Sequence, residues 1–167
     1  MQNIQSVPTL ILDGGLRWTG AVGLEDLLPA LEDRDPARLP PASLERMLDS
    51  GGAGELAEMM VAAGRIFPAL VDLLVHPSFS VRLGAMVTME TLAELNADLA
   101  LGFAGPLAAR CGGHPANVRG DVLQVLGMVG GAETVRQIAA LTEGETDPEV
   151  LAAAEEAVAE ILARQSD

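Results

Sequence analysis

The chain has 167 residues, enough for one ordinary domain with a real core and too few for two full enzyme domains. It is 49% apolar and only 2% aromatic, a composition that suits closely packed helices better than sheets of large side chains. Its formal charge of −14 sets 24 carboxylates against 10 cations, every one arginine, which argues against nucleic acid and anionic membrane as partners because both demand cationic patches.

Taken in chain order, the first elements are strands. Val7-Pro8-Thr9-Leu10-Ile11-Leu12 is a β-branched, apolar run, Asp13-Gly14-Gly15 is a hairpin signal, and Leu16-Arg17-Trp18-Thr19-Gly20 returns as a second strand. Leu24, Leu27, Leu28 and Leu31 then mark one face of a short helix. No charged-then-apolar leader opens the sequence, the lone Cys111 has no intramolecular disulfide partner, and uncharged runs such as 99–109 and 122–132 fall short of the ~20 residues that span a bilayer. A cytoplasmic protein without cofactors is the expectation.

The strand, turn, strand, helix order headed by Ser6-Val7-Pro8-Thr9 resembles the C-terminal half of the thioredoxin fold, over about residues 4–32. The resemblance implies that Val7, Pro8 and Thr9 form a cis-proline loop with a cis Val7–Pro8 bond. It also implies what is missing. Thioredoxin chemistry needs a Cys-x-x-Cys pair at a helix N-terminus, which the family carries upstream of that loop. Met1 is then either an internal methionine of a longer reading frame or the start of a genuine truncation. As given, the chain is expected to lack disulfide reductase activity beyond that of a lone thiol.

Residues 1–34 therefore read as a thioredoxin-like fragment, 35–42 as a proline-rich linker and 43–167 as a helical domain. Ser43 is the expected N-cap of a helix over 43–50, and Leu56, Met59, Met60 and Ala63 stripe the next over 54–63. Six further segments follow: 66–75, 79–95, 99–111, 115–129, 132–142 and 148–164. They repeat. The spacing from Pro68 to His76 equals that from Pro106 to His114, and Val81-Arg82 and Val118-Arg119 follow His76-Pro77 and His114-Pro115. Asp147-Pro148 and Val150-Leu151 form a third copy. Each following helix carries the same apolar ladder: Val81, Ala85, Met89, Leu92; then Val118, Val122, Leu126, Val129; then Val150, Ala154, Val158, Ile161. The pairs Gly51-Gly52, Gly112-Gly113 and Gly130-Gly131 are expected to end helices through positive φ, and Pro77, Pro115 and Pro148 to sit in first turns.

Helix pairs joined by an Asp-Pro turn and a Val-Arg step resemble HEAT repeats. The resemblance implies a mainly α fold, a short right-handed HEAT-like α-solenoid of about four helix pairs preceded by a β-hairpin and helix. It implies that Arg82 and Arg119 are turn arginines satisfying carbonyls of neighbouring repeats. His76 and His114 stand where the family has an acidic residue, and Leu151 where it has the arginine.

No catalytic, cofactor or metal site emerges. His76 and His114 occupy equivalent turn positions without the clustered partners of a site, and Cys111-Gly-Gly-His114 offers two ligands where zinc wants about four. The acidic run Glu143, Glu145, Asp147, Glu149 reads as a solvated loop with helix-start carboxylates, and the methionines as gap-fillers. Two functional expectations follow. The first is a non-catalytic scaffold that holds a protein partner on the face the stacked pairs leave open. The second is a truncated thiol–disulfide oxidoreductase fused to helical repeats, which an in-frame Cys-x-x-Cys encoded upstream of Met1 would favour. The hairpin's unpaired edge is expected to draw two chains into a homodimer, the alternative being a hairpin folded back on its own first helix pair.

Overall fold

The computed structural model describes Gly23 and residues 36–166, together with the backbone of two strands over 9–12 and 16–19. The strands β1 (Thr9–Leu12) and β2 (Leu16–Thr19) pair antiparallel, with Thr9 opposite Thr19 and Leu12 opposite Leu16. Thr9 thus opens a strand. Val7, Pro8 and the helix expected over 24–32 lie outside the described residues.

The remainder is mainly α. A 3₁₀ turn (Pro36–Arg38) leads into α1 (Pro41–Asp49), α2 (Ala53–Ala63), α3 (Ala69–Leu74), α4 (Phe79–Leu95), α5 (Ala97–Leu101), α6 (Ala104–Cys111), α7 (Ala116–Val129), α8 (Ala132–Leu141) and α9 (Pro148–Arg164). The helices form two rows. In one, α1, α3, α6 and α8 are neighbours in chain order; in the other, α2, α4, α7 and α9 are, and each helix of the first row also packs on its chain successor or near successor in the second. The short α5 packs on α4 and α7, and β2 runs beside α2.

The apolar ladders explain this arrangement. Val81, Ala85, Met89 and Leu92, and likewise Val118, Val122, Leu126 and Val129, are all buried, as are Val150, Ala154 and Ile161; Val158 is half-buried. One face of each second-row helix is therefore committed to the space between the rows, where Phe67, Leu70, Leu73, Phe103 and Leu107 meet it from the first row and its connections. No helix among the described residues is long and apolar enough to cross a membrane.

Several local expectations are corrected. Ser43 does not cap α1: Pro41 starts the helix earlier, because its ring presets the helical φ at a position whose N–H has no intrahelical partner anyway. Ser43 is buried within the first turn. The stretch read as linker also contributes to the core, since Leu39 is only 4% exposed. The single helix expected over 99–111 is two, α5 and α6. At Gly102 and Phe103 the N–H groups bond to Leu99 and Ala100, a tighter turn that swings Phe103 into the core. Gly51 and Gly113 do take positive φ, but Gly130 and Gly131 do not. Gly130 is needed for room instead: a Cβ there would sit 2.4 Å from the Leu126 carbonyl oxygen. Of the three prolines expected in first turns only Pro148 is there, Pro115 standing at the N-cap of α7 and Pro77 one residue before the N-cap of α4.

Candidate functional site

The turn arginines come first because the repeat predicts them. Arg82 is 1% exposed, and a buried guanidinium must have its donors met. Its Nε donates to Asp121 of α7 at 2.7 Å, and its Nη1 donates to the carbonyls of His76 at 2.7 Å and Pro77 at 3.1 Å. The Phe79 ring covers it, with the guanidinium carbon 5.6 Å from the ring centre. Arg82 therefore ties its own turn to the next second-row helix; the carbonyls it satisfies belong to its own turn, whereas the family resemblance implied those of a neighbour. His76 serves the same turn, its Nδ1 accepting from the Ser78 N–H at 3.1 Å.

Arg119 occupies the equivalent place with different partners. The position matching Asp121 in the next helix is Ala153, so no carboxylate waits there. Arg119 pairs through Nη1 with Glu145, while its buried Nε has no hydrogen-bond partner among the described residues. Glu145 also accepts from the Thr146 and Asp147 N–H groups, and Asp147 caps α9 by accepting from the Glu149 and Val150 N–H groups. The acidic run is thus a built connection, not merely a solvated loop.

Arg119, Glu145, Cys111 and His114 line a cavity of about 300 Å³ between the end of α6 and the start of α9. Its charges offset each other. Burial pushes the Cys111 thiol above its ordinary pKa, with Arg119 offsetting part of the effect, so the sulfur stays protonated and weakly nucleophilic at neutral pH. Among the described residues, no group of three or more His, Cys, Asp or Glu side chains is placed to hold a metal.

A second face was not anticipated from sequence. Phe79, Leu83 and Val87, spaced one helical turn apart on α4, are 58%, 47% and 41% exposed. Glu90 and Glu94 continue the same stripe into solvent. On the neighbouring helices the matching surface is recessed: Gly120 and Gln124 of α7 with Ala153, Glu156, Ala157 and Glu160 of α9 line a depression of about 440 Å³. The outward face of the second row therefore presents an apolar ridge beside a shallow groove floored by small residues. A sequence signal did exist, an apolar series two residues out of phase with the buried ladder, which gives α4 apolar positions on more than one side.

A third apolar surface lies at the end of the rows, where Val135, Ala139, Leu151, Val158 and Leu162 of α8 and α9 border a groove of about 530 Å³. Compared with known proteins, the chain significantly matches no family model, no curated protein and no solved structure.

Proposed function

We propose that this chain is a non-catalytic protein-interaction scaffold, a short right-handed HEAT-like α-solenoid whose second helix row, α2, α4, α7 and α9, is its docking face. The observation that carries the reading is the exposed ridge Phe79, Leu83 and Val87. Single exposed apolar residues are ordinary on protein surfaces, but three in register on one helix form a contiguous patch of the kind that marks an interaction site. The ordered neighbouring of helices within two rows and the paired Arg82 and Arg119 turns support the repeat reading. The ridge is rigid as well. Its helix is held on the opposite side by the fully buried Ala85, Met89 and Leu92, so little ordering entropy remains to be lost on binding.

The test is a comparison of captured proteins. The full chain and its Leu83→Gln/Val87→Gln variant, matched in circular dichroism and melting midpoint, are immobilised and exposed to cell extract, and bound proteins are identified by mass spectrometry. The expected result is a defined partner, reproducibly enriched on the wild-type chain and lost from the variant. Identical sets on both surfaces would refute the ridge as a docking face.

A further inference from the structure

We infer that the occupant of the second-row face is a basic amphipathic helix, with apolar anchors seated on the Phe79-Leu83-Val87 ridge and Lys or Arg side chains facing the surrounding carboxylates. This rests on the scaffold reading above and adds the partner's chemistry.

Charge decides the sign. The ridge runs directly into Glu90 and Glu94 on its own helix, and Glu156 edges the adjoining depression. The cations of α4, α7 and α9 are already engaged. Arg82 is buried against Asp121, Arg119 pairs with Glu145, and Arg164 bonds Glu160 and the carbonyls of Gly127 and Gly130. Among the described residues of α4, α7 and α9, an acidic partner would meet carboxylates and arginines already paired; a basic one meets complementary charge at the rim and apolar surface at the centre.

Shape selects a helix. Phe79 to Val87 spans two turns, about 12 Å at 1.5 Å per residue. Anchors at i, i+4 and i+7 of a partner helix cover that length on a single stripe. The recess over Gly120, Ala153 and Ala157 gives such a helix a trough alongside the ridge, because residues this small let a second backbone approach closely. An extended peptide would alternate its side chains and bring only every second one to the ridge.

The experiment uses the full chain and two fluorescein-labelled synthetic helices of about 18 residues with identical leucine anchors, one flanked by lysines and its twin by glutamates. Anisotropy titrations are run at 50 mM and 300 mM salt. The lysine helix is expected to bind at least tenfold more tightly than its twin at low salt and to lose most of that advantage at high salt. Leu83→Gln/Val87→Gln should weaken it about tenfold, and Glu90→Gln/Glu94→Gln should flatten the salt dependence. Equal binding of the two helices, or tighter binding of the glutamate twin, overturns the basic partner while leaving the docking face standing, provided that binding remains sensitive to Leu83 and Val87. Binding of the lysine helix that ignores both pairs of substitutions overturns the placement on this face. Failure of both helices to bind overturns the helical partner, and the capture experiment then judges the scaffold reading separately.

Discussion

Arg82 concentrates the logic of the repeat in one side chain. It is an ion withdrawn from water, held because Asp121 supplies the opposite charge and two turn carbonyls take another of its donors. Removing it leaves the carbonyls of His76 and Pro77 and the Asp121 carboxylate without those donors, but Asp121 is 21% exposed and can recover water, so Arg82→Met should destabilise the fold by about 1–3 kcal/mol. Asp121→Asn instead leaves the buried guanidinium without its counter-charge and should cost more, about 3–5 kcal/mol. Urea denaturation of both variants checks the order; an Asp121→Asn loss smaller than that of Arg82→Met would mean the counter-charge is not what holds the buried guanidinium. The arginine was legible in the sequence because Val-Arg recurs after His-Pro. Its partner was not, since Asp121 stands on another helix and nothing in the local pattern of α7 marks it. Arg119 shows why a matching motif is not a matching contact: with Ala153 where the carboxylate would be, the ion pair shifts to Glu145 in a connecting loop.

At the scale of elements, α7 and α9 approach so closely that one glycine sets their distance. A Cβ on Gly127 would sit 2.8 Å from the Ala157 Cα and 3.1 Å from its Cβ, and a backbone atom cannot step aside as a flexible side chain can. Gly127→Ala should therefore destabilise by about 1–3 kcal/mol despite the better helix propensity of alanine. Gly120→Ala on the same helix is the control, since nothing lies within 4 Å of its added Cβ and propensity alone should stabilise it by up to about 1 kcal/mol. Thermal melts giving both substitutions the same sign would remove the close approach as the cause. Helix existence was readable throughout 41–164 because buried ladders recur in phase. The finer turns escaped the pattern. The break at Gly102 accompanies the burial of Phe103, a tertiary demand, and the role of Gly130 comes from the Leu126 carbonyl and Thr134 closing on it in the tight link between α7 and α8; apolar periodicity encodes neither. The exposed ridge on α4 was hidden for the opposite reason: its apolar residues resemble core, and only packing reveals that nothing in the described chain covers them.

For the whole molecule, the open question of assembly sits at the two-stranded sheet. Two rows of helices satisfy their own backbone bonds, whereas among the described residues the sheet holds only β1 and β2, whose outer N–H and C=O groups have no ladder partner there. The course of β2 beside α2 agrees with a hairpin laid back on its own helices. A helix has no free ladder groups with which to pair that edge; two chains joined edge to edge would, in a four-stranded sheet about a two-fold axis. The charge of −14 per chain opposes that union, and salt should relieve it. Sedimentation equilibrium is therefore expected to find twice the 17.3 kDa chain mass, with an association constant that rises between 50 mM and 300 mM salt. A shortened chain beginning at Pro36, which keeps the buried Leu39 in place, should sediment as a monomer. A full chain that stays monomeric at both salts, or a shortened one that associates as tightly, would move the interface away from the hairpin; in the second case the groove bordered by Leu151, Val158 and Leu162 at the far end of the rows becomes the surface to mutate next.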